Sequence, residues 1–220
     1  MARSVRSNPN LTREAVIEAA ARVLERDGIE GLTMRAVAAE LGVQAPALYW
    51  YVANKEALQV ALYDHLMAGL VFTPRGLDWR EDLREMCRTL RARLLSRRDV
   101  ARLVPHGFFT GPNSLAHTET VLGLLIGAGL APRDAFYALA AGFTYVVSWS
   151  VGEADLRARP RGERPGLDAA NRGLMDNPAY PNLQAVTRAF AGRGDDVDEQ
   201  FAFGVDCLIA GFERRAGKPA

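Results

Sequence analysis

Apolar residues recur three and four positions apart along almost the whole chain, and runs alternating apolar with polar are nearly absent. That spacing belongs to helices, whose successive side chains lie about 100° apart, and not to strands. The boundaries are written in Thr, Asn, Gly and Pro. Thr12 caps a helix over about 13–27, with Glu14 at its positive end and an apolar stripe of Val16, Ile17, Ala20, Val23 and Leu24, and Gly28 ends it. Thr33 caps a short helix to about Leu41, Gly42 stops it, and Gln44 starts another to about Val52. Asn54 caps a longer helix from Lys55 to about Leu70.

Behind these four helices the pattern continues in larger ones. Leu83, Met86, Leu90 and Leu94 share one face of a helix over 79–95, and a short helix over 99–104 is broken by Pro105 and Gly107. Further helices are predicted over 117–129, about 134–156, 183–191 and 198–215. Residues 157–181 hold four prolines (Pro160, Pro165, Pro178 and Pro181) and read as a long loop. The fold class is therefore all-α. Residues 1–53 form an N-terminal helix-turn-helix domain, and 54–220, opening on a linking helix, form a larger helical domain.

Composition removes several classes of function. At 49% hydrophobic and 24% charged residues the chain is of ordinary globular type, and its net charge of +1 points to neither nucleic acid nor membrane. Cys87 and Cys207 have no metal-type spacing and read as reduced thiols of a cytoplasmic protein. Arg3 and Arg6 are not followed by the apolar stretch of a signal peptide. Residues 135–152 are uncharged for 18 positions, near the lower limit for a membrane span, but charges bracket them closely and Ser, Thr and Gly interrupt them. A buried helix is expected there, and no membrane partner.

Residues 33–52 have the spacing of a helix-turn-helix. Ala38 is small where the helices cross, Gly42 allows the turn, and Pro46 falls in the first turn of the second helix, where its missing N–H costs nothing. Leu48 and Val52 turn inward, leaving Gln44, Ala45, Ala47, Tyr49, Trp50 and Tyr51 to a groove. Three consecutive rings cannot all enter one core, so at least one faces a partner. A plain helical hairpin is the alternative. Residues 1–60 carry seven basic and seven acidic residues, so charge does not decide. Arg3, Arg6 and Arg13 precede the first acid and make either a basic arm or a solvated tail.

The run T-x-R-x-V-A-x-x-L-G-V-x-x-x-x-L-Y-W-Y-V-x-N-K-E-A-L, from Thr33 to Leu58, resembles the N-terminal domain of the tetracycline-repressor (TetR) family of transcriptional regulators. The segments DWREDLREMCRTLRARLLSRRDVARLV, GLAPRDAFYALAAGFTYVVSWSVGEAD and FAFGVDCLIAGFERR resemble its ligand-binding domain. Tyr51 stands where the family's pattern has His, which implies a different operator. The resemblance implies that Arg35 and Gln44 face double-stranded DNA, with Ala45, Pro46, Ala47 and Trp50 on the groove side and Tyr49, Tyr51 and Lys55 at phosphates. It also implies an effector cavity bounded by the elements carrying Met86, Leu90, Val104, His106, Phe108, Phe109, His117, Phe143 and Tyr145. Apolar walls with few polar tips suit a small hydrophobic effector.

The 134–156 and 198–214 helices are apolar around their circumference and are expected to pair with their copies in a homodimer. An enzyme or carrier using the pocket is the alternative. His65, His106 and His117 show neither a paired nucleophile nor metal-ligand spacing, so no catalytic residue, metal or cofactor is expected. Where the resembled tetracycline–magnesium site has two His, Asn and Thr, this chain places about Val71, Met86, Val104 and Gly107. That predicts an apolar effector without a metal.

Overall fold

The structure is a computed structural model describing residues 11–70, 72–76, 78–104, 111–159, 177–190 and 196–217. It is all-helical, with no strand among the described residues. Eight α-helices occur there: α1 (Arg13–Gly31), α2 (Met34–Glu40), α3 (Lys55–Met67), α4 (Trp79–Leu95), α5 (Pro112–Gly127), α6 (Pro132–Ala158), α7 (Pro181–Phe190) and α8 (Val197–Glu213). Two 3₁₀ segments, Ala45–Trp50 and Val100–Leu103, stand between α2 and α3 and between α4 and α5.

The head consists of α1, α2 and the first 3₁₀ segment, gathered around the start of α3. Val16, Val23, Val37, Leu48 and Leu58 are fully buried between them. Gly28 does break α1, at φ 74°, but the chain resumes for one more turn to Gly31. The break accommodates the body: a Cβ on Gly28 would sit 2.7 Å from Asp99 Oδ2. That carboxylate accepts the Ile29 N–H at 2.9 Å, and Arg98 donates to the Arg26 carbonyl at 2.9 Å.

In the body α6 is the centre, packed against α4, α5, α8 and the 100–103 segment. By length and composition α6 could cross a membrane. Its Ala135, Ala138, Leu139 and Val146 are buried in the body's core, but 28% of its most apolar 18 residues are buried, so the helix is covered on one face and not on most sides as expected. Buried Glu153 accepts from Arg91 of α4 at 2.7 Å and from Arg157 at 2.6 Å. Arg91 also reaches Asp198 of α8 at 2.7 Å and lies over the Phe201 ring, so one guanidinium joins three helices. Residues 160–176 of the expected 157–181 loop lie outside the described residues.

Candidate functional site

The first candidate surface is on the head. Thr33 Oγ1 accepts the Ala36 N–H at 3.1 Å and fixes the start of α2. Gly42 at φ 68° turns the chain, in the left-handed region that favours glycine. The Val43 N–H then bonds to the Ala38 carbonyl at 2.9 Å, bringing the next segment close across α2. That segment is a 3₁₀ helix and not the expected α-helix. Ala47 N–H to Gln44 carbonyl and Tyr51 N–H to Leu48 carbonyl, both 2.9 Å, are three-residue bonds.

Leu48 and Val52 are buried, as expected from their spacing. The three rings separate. Tyr51 is half-buried against the head's core, Tyr49 is 54% exposed and Trp50 is 90% exposed. Arg35, Gln44, Pro46 and Lys55 are also exposed, while Ala45 and Ala47 are partly covered. Arg35 and Lys55 make no ion pair among the described residues, whereas Arg22 and Arg26 are held by Glu40 at 2.8 Å. A tryptophan left 90% exposed has no role in the head's own packing.

The second candidate is a cavity of about 120 Å³ inside the body. It is far too large for a single water, which needs only about 10–15 Å³ by this measure. Its walls come from α3 (Tyr63, Met67), α4 (Met86, Leu90), α5 (His117, Val121), α6 (Gly142, Phe143) and α8 (Val205, Ile209). Of the residues named from sequence, Met86, Leu90, His117 and Phe143 meet there. Val104 packs on the core outside this lining. Tyr145 turns to α8, where its ring stacks on Phe201 and its hydroxyl donates to the Phe201 carbonyl at 3.0 Å. His106, Phe108 and Phe109 lie outside the described residues, as do Val71 and Gly107.

Polar groups in this lining are few. Burial holds the His117 imidazole below its ordinary value, against the opposing pull of the Met67 carbonyl, and so favours a neutral ring. Burial also pushes the Cys87 thiol up to about 11 and the Tyr63 phenol up to about 12, so both stay protonated. The Thr118 hydroxyl donates to its own helix at the Ser114 carbonyl. No carboxylate lines the cavity, and no cluster of three metal-ligating side chains occurs among the described residues. The cavity also takes in Tyr63, Met67, Val121 and Ile209, which helical spacing marks only as core, and Gly142, which the sequence suggested for close approach in the dimer.

An exposed face on a helix-turn-helix, joined by one helix to an apolar cavity, agrees with comparison to known proteins. Residues 16–62 match the model of bacterial regulatory proteins of the tetR family, and 73–216 match the tetracyclin repressor-like C-terminal domain. The chain belongs to the TetR family. It is 34% identical over 211 residues to the class G tetracycline repressor protein of Vibrio anguillarum, covering 93% of this chain and 94% of that one. The crystal structure of the TetR family protein ActR of Streptomyces coelicolor in complex with actinorhodin superposes with a TM-score of 0.84 at 28% identity. The match covers 96% of this chain and all of that one. BioQ, known from Mycobacterium smegmatis and solved with its double-stranded DNA operator, gives a TM-score of 0.67 at 29% identity, over 93% of this chain and 99% of that one. TetR-family members are ligand-responsive transcriptional regulators and not enzymes.

Proposed function

We propose that this TetR-family regulator is a homodimeric repressor that leaves a palindromic operator when a small, largely apolar effector enters the cavity. The observation that carries the reading is Trp50, 90% exposed in the 3₁₀ segment of the helix-turn-helix, on a head where Arg35 and Lys55 are exposed and make no ion pair among the described residues. These groups fit a groove edge and its phosphates and serve nothing inside the chain. Ala45 and Ala47 are short, so base reading falls to Arg35, Gln44 and apolar contact by Trp50.

Two exposed rows support the dimer. Along α6, Tyr137, Ala141, Thr144, Ser148 and Gly152 are exposed at four- and three-residue spacing, and none is charged. Along α8, Phe203, Cys207 and Ala210 do the same, with Phe203 at 71% exposure. Such rows on neighbouring helices suit a four-helix interface between copies. Ser150, which the sequence suggested with Gly142, Ser148 and Gly211 for close approach in the dimer, is instead fully buried, and its hydroxyl donates to the Val146 carbonyl.

The described lining does not fit a tetracycline–magnesium chelate. Mg²⁺ takes near-octahedral oxygen ligands and keeps several waters, whereas Met86 stands where the chelate would need an amide and no carboxylate faces the space. The fitting effector is apolar, with one polar edge to meet His117. Gly142 leaves room for it, since a Cβ there meets nothing within 4 Å.

The test is retardation of DNA from the gene's own upstream region, followed by titration with tetracycline plus Mg²⁺, with and without EDTA. Specific retardation without metal-dependent release is expected. No retardation would overturn the regulator reading, and micromolar Mg²⁺-dependent release would overturn the effector class.

A further inference from the structure

Asp64 is a charged residue on the buried side of α3, only 8% exposed. A carboxylate so placed costs stability unless it is hydrogen-bonded. No cation pairs with it among the described residues; the first turn of α5 does instead. Ser114 donates both its backbone N–H, at 2.9 Å, and its hydroxyl, at 3.0 Å, to Oδ1. The Asn113 amide donates to Oδ2 at 3.0 Å and to the Asp64 carbonyl at 3.1 Å. Gly111 makes the approach possible, because a Cβ there would lie 2.3 Å from the carboxylate carbon.

This cap lies at the wall of the cavity. Ser114, His117, Thr118, Val121 and Leu125 of α5 all line it, as do Tyr63 and Met67 on either side of Asp64. An occupant that displaces α5 therefore moves the partners of the carboxylate. The head has a second attachment, at the end of α1, where Asp99 and Arg98 hold Ile29 and Arg26. Those two residues follow α4 and precede the 100–103 segment, which packs on α3, α4 and α6 and contributes nothing to the cavity. One attachment is thus part of the cavity wall and the other is not. A shift of the first against the second rotates the head.

We propose that Asp64 is the positioning residue through which the cavity sets the angle of the reading head. Its bonds to Ser114 and Asn113 form a latch that holds α3 in the operator-binding orientation. The proposal rests on the repressor reading above.

The experiment uses the full-length protein with Cys207→Ser and a nitroxide on Glu25→Cys, an exposed position on α1. Pulsed electron–electron resonance measures the distance between the two heads, and anisotropy measures affinity for a labelled upstream duplex. Asp64→Ala is expected to shift or broaden the distance distribution. It should also weaken operator binding at least tenfold, with dimer mass and helix content unchanged. A merely structural cap would lower the melting temperature but leave both readouts at wild-type values in the folded protein. Unchanged distances with affinity within twofold would overturn the latch. Should Asp64→Ala fail to fold, the double change Asn113→Ala with Ser114→Ala removes the side-chain donors and keeps the carboxylate and the backbone N–H. It is expected to move both readouts in the same direction by a smaller amount, and no movement overturns the proposal. Wild-type protein that binds no upstream DNA, or shows no head-to-head distance, instead overturns the repressor reading.

Discussion

The head and the body solve the same problem, fixing helices at defined angles, by different means. In the head each cap is local: Thr12 holds the Ala15 N–H at 3.1 Å, Thr33 holds that of Ala36 at 3.1 Å, and Asn54 holds that of Ala57 at 2.7 Å. Its candidate contact groups Arg35, Tyr49, Trp50 and Lys55 are exposed. The body also has local caps, at Asp78 and Asp196. Its decisive polar contacts, however, span long stretches of chain: Arg91 to Glu153 and Asp64 to Ser114. Its candidate effector site is an apolar cavity. A unit fixed by local contacts can move as one piece. A unit held by distant contacts around a cavity can be reshaped by what enters it. Reading and sensing are divided along that line.

The comparison breaks if changes to the body's polar contacts leave stability untouched, or if changes to the head's face disturb the fold. The largest effect is expected at Glu153. Its replacement by Ala leaves the partly buried Arg91 paired only with Asp198 and should cost about 3 kcal/mol of unfolding free energy, the low end for a broken buried pair, measured in urea. Next comes the dimer. Phe203→Asp places a charge in the uncharged row of α8, exposed in the protomer, and should yield folded monomers by sedimentation with loss of operator binding. Intact dimers would show that the interface lies elsewhere.

Arg35→Ala and Trp50→Ala should each weaken operator binding by roughly 1–3 kcal/mol, tenfold or more. Their unfolding free energies should stay within about 0.5 kcal/mol of wild type, as for exposed sites in general. A large loss of stability would mean that these side chains do hold the head together.

The smallest expected effect is the pH dependence carried by His117. Its folded value is lowered by burial, so the folded state binds the proton less readily than the unfolded state. The stability this gives is fully present above the ordinary value of 6.5 and is lost as pH falls through the lowered one. His117→Gln should flatten that part of the unfolding profile between pH 6.5 and the onset of carboxylate titration. An unchanged slope would place the ring in water and out of the cavity wall.

Most of the head was legible in the sequence because its devices are local. Thr33, Gly42, Pro46 and the spacing of Leu48 and Val52 each act on neighbours within a turn. The 3₁₀ form of 45–50 was not legible, since six residues are too few for a three-residue repeat to be told from a 3.6-residue one. The start of α5 was set at His117 from sequence, five residues late. Its cap is Asp64, fifty positions away, and no local pattern can reveal that. Tyr145 shows another limit. Because α6 is apolar all round, periodicity gave no sign that Phe143 faces the cavity while Tyr145 faces α8. Cavity walls and core share one chemistry, so Met67 and Val121 were indistinguishable from packing residues.

Two copies of one face, each built around Trp50 and Arg35, are expected to engage one operator. Hydroxyl-radical footprinting of the upstream DNA tests it most directly. The account predicts two symmetric protected half-sites on one side of the duplex, with centres about 34–36 Å apart, one helical turn. Both should fade together in Trp50→Ala at protein concentrations that saturate the wild type. A single asymmetric patch, or protection unchanged by Trp50→Ala, would contradict it.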